Sequence, residues 1–266
     1  MREVTGSSSY YGGSYDEGEA HCHPLNYALG IAEAALSMGA KLYENSSALS
    51  YKVSDNHVRV TTKNGSIKAD RVILACNGYL GNLEKGLTSK ILPMNNYIVA
   101  TKPLDDETVK RINPRDIAFA DSRFVINYFR MSADKRLLFG GGENYSQELS
   151  KNIVPIVTRP LEKIYPFLKG VKIDYAWGGK LAITMNRLPF FKTLKNERVI
   201  SALGYSGQGV ALASYSGKIV SEKILGSGET FDLMAKIPRQ SFPGGRFLRN
   251  PSMKLGMLYY SLLDRI

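Results

Sequence analysis

Apolar and polar positions change their period several times along the 266-residue chain, and each change marks an element. The first twenty residues are rich in Gly, Ser and Tyr and read as loop or short edge strand. After Pro24, the apolar positions Leu25, Leu29, Ala32 and Leu36 fall at helical spacing. They predict an amphipathic helix entered at His23-Pro24, closed by Gly39 and packed on a sheet. Residues 41–43, 48–53, 57–62 and 66–69 then read as short strands, the last two joined by a Lys63-Asn64-Gly65 turn. Residues 71–75 form an apolar run suited to a strand covered on both faces, ending in the small residues Cys76-Asn77-Gly78. From 91 to 142 the pattern becomes antiparallel: strands at 96–101, 117–120, 124–130 and 136–140 are β-branched or aromatic, with a turn at Ser132-Ala133-Asp134. A helix over 154–165 follows the polar cluster Ser150-Lys151-Asn152, and a strand over 171–177 precedes Gly178-Gly179. The chain closes with a loop over 238–251 and a helix from about Ser252.

The other elements are arranged around the stretch from Gly204 to Gly226. A buried strand at 198–202 runs into three closely spaced glycines, Gly204, Gly207 and Gly209, which let the backbone pass close to a flat or charged group. A helix begins at about Gly209 with small residues, Ala211, Ala213, Ser214, Ser216 and Gly217. Its unpaired N–H groups offer partial positive charge to an anion. Two readings stay open for these glycines, a ligand cradle and a turn that only packs helix on sheet. The whole pattern is that of an α/β fold with an antiparallel insert, placed at residues 90–195, between two parts of the parallel-sheet domain, 1–89 and 196–266.

Composition narrows the function. A run of about eighteen apolar residues, the length of a membrane span, is absent, as is a signal-peptide pattern at Met1. Cys22 and Cys76 lie in unrelated contexts, which points to a reducing compartment and a cytoplasmic protein. The formal charge of +11 is concentrated near the end, where Lys236, Arg239, Arg246, Arg249, Lys254 and Arg265 face only Asp264. No basic run or nucleic-acid motif accompanies it, so the expectation is an anionic cofactor or substrate and no specific nucleic-acid partner.

Among candidate chemical groups, His21, Cys22 and His23 are adjacent and lack a distant ligand pair, so no metal site is expected. A GxSxG hydrolase elbow is absent. Tyr128 and Arg130 alternate onto one strand face and, with Tyr97 on another strand, read as an aromatic wall with one guanidinium over a substrate. Arg130 reads equally as a structural ion-pair partner. Lys180 follows two glycines, with an amine directed either into a site or into solvent.

Taken in order, HPLNYALGIAEAALSMGAKLYENS, DRVILACNGY, LLFGGG, WGGKLAITMNRLPFF and GYSGQGVALASYSGKIVSEKILG resemble the FAD-dependent amine oxidoreductases of the D-amino-acid oxidase and glycine oxidase class. The closing segment is most similar to their gamma-glutamylputrescine oxidase branch. The resemblance implies a glutathione-reductase-like Rossmann domain interleaved with an antiparallel substrate domain. It implies FAD as cofactor, with Ala75, Asn77, Gly78, Gly179, Gly204, Tyr205, Ser206, Gly207, Gln208, Gly209 and Val210 beside it. It implies a small-molecule amine substrate oxidised at a C–N bond by hydride transfer to the flavin, with Tyr128, Arg130 and Lys180 on the substrate side.

Three departures from the family pattern qualify this. The βαβ unit with GxGxxG and an acidic residue about twenty positions on is missing, so the chain resembles the C-terminal portion of a longer enzyme, dependent on a missing segment or partner for the ADP half of FAD. No cysteine follows Cys76, so the flavin is expected to be noncovalent. Ala211 stands where relatives that oxidise amino acids carry a carboxylate-binding lysine, and Gln208 replaces a common histidine, which favours an amine without an adjacent carboxylate.

Overall fold

The structure, a computed structural model, describes residues 1–123, 125–142, 148–245, 251 and 255. In chain order it contains α1 (Arg2–Thr5), α2 (Pro24–Ser37), β1 (Ser50–Val53), β2 (Val58–Thr61), β3 (Ser66–Ala69), β4 (Val72–Leu74), α3 (Lys85–Thr88) and β5 (Leu92–Thr101). After these come α4 (Asp106–Ile112), β6 (Phe119–Ala120), β7 (Tyr128–Met131), β8 (Leu137–Gly140), α5 (Val154–Ile164), β9 (Ile173–Ile183), β10 (Phe190–Leu194), β11 (Val199–Leu203), α6 (Gly209–Leu225) and α7 (Glu229–Lys236). The chain divides into two compact units, one holding Met1–Leu29 and Asn95–Gly179, the other Gly30–Met94 and Lys180–Leu255. Among the described residues no helix is long and apolar enough to cross a membrane.

The first unit is built on an antiparallel sheet in the order β6-β7-β8-β5-β9. Its register sets Phe129 opposite Phe139 and Val99 opposite Phe139. Because side chains alternate along a strand, this row and its odd-numbered neighbours Tyr97, Met131 and Leu137 share one face. That face packs against Val157, Leu161 and Ile164 of α5, with Tyr165 just beyond. Phe129 and Phe139 stack with ring centroids 5.5 Å apart, and Tyr165 meets Phe129 edge-on at 5.6 Å. Within the expected loop over the first twenty residues, only Arg2–Thr5 form a short helix. They are anchored because the Tyr165 hydroxyl donates to the Thr5 carbonyl at 2.8 Å and Ser7 Oγ donates to the Ile164 carbonyl at 2.6 Å.

The second unit has a central sheet in the order β10-β11-β4, where β11 pairs antiparallel with β10 and parallel with β4. Every residue of β11 is buried, which accounts for its unbroken apolar and small sequence. One face packs on α6 and α7 through Phe191, Ile200, Ala202, Ile219, Val220 and Phe231. The other meets the antiparallel sheet β1-β2-β3 through Tyr51, Val58, Leu74, Phe190, Val199 and Leu203.

Several expectations change. The helix after Pro24 forms, but no residue of α2 is buried, and Leu25, Leu29, Ile31 and Leu36 are exposed rather than packed on a sheet. Residues 41–43 are exposed and join no sheet among the described residues. The run at 71–75 is a parallel strand, yet only Leu74 is buried, because β4 has a single strand neighbour among the described residues. The strand expected at 117–120 begins at Phe119, since the Asn113 side chain occupies both backbone polar groups of Ile117. The strand expected at 124–130 begins at Tyr128, where Asp121 captures the Asn127 N–H at 2.9 Å; Phe124 lies outside the described residues. The strand expected at 171–177 continues through both glycines to Ile183, because a Cβ on Gly178 would lie 2.7 Å from the Tyr97 ring, a close approach only glycine permits. The helix expected from about Ser252 falls largely outside the described residues.

Leu161 is fully buried at the centre of the first core. Leu161→Ala is expected to destabilise the protein by about 2–5 kcal/mol, read from urea unfolding. A loss too small to measure would show that α5 is not packed on the sheet as described.

Candidate functional site

In the second unit the site follows from a strand register. Parallel β4 and β11 set Leu74 opposite Ser201. Three residues beyond each partner stand Asn77 and Gly204, and there the Gly204 N–H donates to Asn77 Oδ1 at 3.0 Å. Both chains leave the sheet at this point in the left-handed region, Asn77 at φ 45° and Gly204 at φ 79°. Asn is one of the few residues with a side chain that tolerates this conformation. The crevice outside the carboxyl ends of parallel strands is where α/β sheets bind ligands.

The surroundings fix the backbone on both sides of that bond. Gly78 is buried, and a Cβ there would lie 2.5 Å from the Lys180 carbonyl oxygen. The Tyr79 hydroxyl accepts the Lys180 N–H at 3.1 Å. The Ser206 N–H donates to the Ala182 carbonyl at 3.0 Å, and Ser206 Oγ accepts the Thr184 N–H at 3.2 Å. Residues 204–208 are thereby tied to residues 180–184. Tyr205 turns inward, donating to the Ala202 carbonyl at 3.1 Å, and burial raises its phenol pKa. It therefore supports the loop from beneath. Gly207, Gln208 and Val210 are exposed and Gly209 half-buried. No side chain caps α6 at Gln208, and the first turn closes with the Leu212 N–H on the Gln208 carbonyl at 3.3 Å. The N–H groups of the first helical residues therefore have no acceptor within the helix, and the macrodipole adds to their positive potential. Ala75 is exposed, and burial raises the thiol pKa of neighbouring Cys76, keeping it neutral.

The remaining candidates lie elsewhere. Gly179 is the last residue of β9 in the first unit, and Lys180, half-buried and without an ion pair among the described residues, is the first of the second. Tyr128 and Arg130 share the half-exposed face of the antiparallel sheet. Tyr97 is fully buried on the opposite, core face, so it is not part of their wall. Tyr128 pairs with Gly140 of β8, and a Cβ on Gly140 would run into the Tyr128 ring. The ring thus crosses β8 at a glycine and its hydroxyl donates to Asn96 Oδ1 on β5. Burial pushes this phenol up to about 12 against the smaller, opposing effect of Asn96, so Tyr128 is a neutral donor at physiological pH. Arg130 donates to the Met131 carbonyl at 3.1 Å and has no acidic partner among the described residues, so the ion-pair reading of it has no support. At the histidine cluster, His21 Nε2 lies 3.0 Å from the Asp116 carbonyl and His23 Nδ1 accepts the Asn26 N–H at 3.2 Å, which makes His23 the entry to α2. Tyr79, Thr184 and Asn96 were not among the candidates. Their roles depend on partners between twenty and about a hundred residues away, and only the CNGY sequence gave a local sign of the first.

Residues 1–223 match the family described as FAD dependent oxidoreductase. The chain belongs to that family. The chain is 41% identical over 260 residues to the probable oxidoreductase OrdL of Rhizobium meliloti, covering 98% of this chain and 60% of the relative. It is 36% identical over 267 residues to the gamma-glutamylputrescine oxidoreductase of Escherichia coli, covering 100% of this chain and 62% of the relative. The chain thus spans about 60% of the length of these curated relatives. The glycine oxidase of Geobacillus kaustophilus shares the fold, with a TM-score of 0.66 at 21% identity over 80% of this chain and 57% of the other. FAD is the cofactor of the family, which gives the Gly204 loop and the α6 start a ligand class to be tested against.

Gly78 has backbone, not a flexible side-chain tip, as its nearest neighbour. Gly78→Ala is therefore expected to cost about 1–3 kcal/mol of stability and to weaken flavin binding, measured by urea unfolding and flavin titration. Wild-type values in both would show that the Gly78–Lys180 approach is not needed.

Proposed function

We propose that the chain holds the isoalloxazine end of FAD and takes part in oxidising a C–N bond of a gamma-glutamylputrescine-like amine. The observation that carries the reading is the Asn77–Gly204 bond at the carboxyl ends of β4 and β11, next to the uncapped start of α6. These residues fit a flavin. Gly207 and Gly209 keep side chains away from a flat ring, and the α6 N–H groups favour negative charge on it. When bound, FAD supplies the redox chemistry by taking a hydride from the carbon that carries the amine. In this reading Gly207, Gly209 and Val210 present backbone donors to the ring, and Tyr128 of the first unit, whose O–H goes to Asn96, is proposed to meet the substrate through its oxygen lone pairs. Arg130 of the first unit and Lys180 of the second are proposed as positive charges for the substrate. Only the name of the Escherichia coli relative supports the choice of amine, together with Ala211, which leaves no cation at the start of α6. The two free cysteines, Cys22 and Cys76, support placing the protein in the cytoplasm.

A second reading, in which FAD is held only together with a surface from a further segment or subunit, is favoured by α2. This 14-residue helix buries none of its residues and exposes Leu25, Leu29, Ile31 and Leu36. The family's GxGxxG motif is also absent from the sequence. Flavin that equilibrates with the chain but is lost on gel filtration supports this second reading. Retention of one flavin per chain overturns it.

Two outcomes are expected of FAD-loaded protein. Acid or heat denaturation releases the flavin into the supernatant; a yellow pellet would disprove noncovalent attachment. In steady-state assays kcat/KM is higher for gamma-glutamylputrescine or putrescine than for sarcosine or D-alanine. A missing charge-assisted contact to a carboxylate costs about 1.5–3 kcal/mol, roughly a ten- to hundredfold difference in preference. Ala211→Lys should shift the ratio toward the carboxylate substrates, and a preference of the unaltered protein for sarcosine or D-alanine would remove the polyamine assignment.

A further inference from the structure

Asn77 has two ends, and the structure accounts for only one of them. The Gly204 N–H donates to Oδ1 at 3.0 Å, and because an N–H cannot donate to an NH2 group, this bond fixes which way the amide faces. Nδ2 is therefore turned away from Gly204. It has no hydrogen-bond partner among the described residues and is not among their buried unsatisfied atoms, and Asn77 as a whole is half-buried. The left-handed backbone at φ 45° and the bond to Gly204 would both be served equally well by aspartate. What aspartate cannot supply is the pair of N–H donors on the far side.

We infer that Asn77 has a second role as a donor, its Nδ2 group giving a hydrogen bond to an electron-rich oxygen or nitrogen of the bound flavin. The inference rests on the flavin reading of this crevice and assigns a role to one side chain within it. The donor stands beside Gly204, whose own N–H is consumed by the clamp, so Nδ2 takes the place of that lost backbone donor at the end of β11. The α6 N–H groups and the Asn77 amide then form one set of donors, all presenting hydrogen toward the ligand and none presenting negative charge.

The test separates clamp from donor. Asn77→Asp keeps the acceptor for Gly204 and the left-handed preference but replaces the outward donors with a carboxylate oxygen, whereas Asn77→Ala removes both. FAD is titrated into the unaltered chain and both variants by fluorescence, with thermal unfolding recorded in parallel without FAD. Asn77→Asp is expected to melt with the unaltered protein and to bind FAD at least about tenfold more weakly, while Asn77→Ala loses both stability and affinity. Equal FAD affinity for Asn77→Asp and the unaltered chain overturns the inference, leaving Asn77 a clamp and the flavin site intact. No saturable binding by the unaltered chain overturns the flavin reading and the inference with it. A second measurement needs no folded aspartate variant. In protein labelled with ¹⁵N-asparagine, the Asn77 side-chain NH2 resonance, identified by its absence in Asn77→Ala, is expected to move downfield when FAD is added. An unmoved resonance at saturating FAD overturns the donor role.

Discussion

Parallel pairing of β4 with β11 brings two chain exits side by side, and the rest of the candidate site depends on that pairing. Antiparallel neighbours would send one chain out at each end of the sheet. Here both leave at the carboxyl ends, in register, so a side-chain amide from one meets a backbone N–H of the other. The bond also removes a problem at the sheet's end. Gly204 leaves the ladder with a donor that no strand can accept, and burying such a group unpaired is costly. Asn77 satisfies it with a side chain able to adopt the backbone shape that the turn demands.

What was legible in the sequence was what local pattern encodes. The run Val199–Leu203, the glycines after it and the helix from Gly209 could be read directly, because strand, turn and helix start are each set by neighbouring residues. Residues 71–75 were recognisable as a strand for the same reason, but their burial was not, because burial depends on which strands lie alongside. Tyr97 shows the same limit at a finer scale. Its presence on a strand was clear, yet its face was settled by the pairing of β5 with β8, which sets Val99 opposite Phe139 and sends odd-numbered residues inward. Asn96, one residue away, points the other way and meets Tyr128 from a distance of thirty-two positions. The end of β9 was misplaced because glycine is usually a breaker, whereas Gly178 is there to let the Tyr97 ring approach.

The two units use glycine in one way at different places. At Gly140 an aromatic ring lies across a strand that has no side chain to obstruct it, and this lets Tyr128 reach over β8 to Asn96 on β5. At Gly78 a backbone carbonyl takes the same kind of space. In both cases the missing methyl group permits a contact between partners that are not sequence neighbours. The positions are therefore constrained by what lies above them rather than by their own conformation.

The open start of α6 has a thermodynamic consequence. A helix whose first N–H groups lack acceptors is held by its buried residues Ser216, Ile219 and Val220, none of them in its first turn, while its beginning depends on whatever supplies acceptors. Any anion or electron-rich ring that binds there favours the folded second unit by mass action, by about 2.7 kcal/mol at a concentration one hundred times its dissociation constant. The lifetime of that unit against proteolysis would then follow the supply of its ligand. Abundance of the protein would become a readout of cofactor availability, without any dedicated regulatory part.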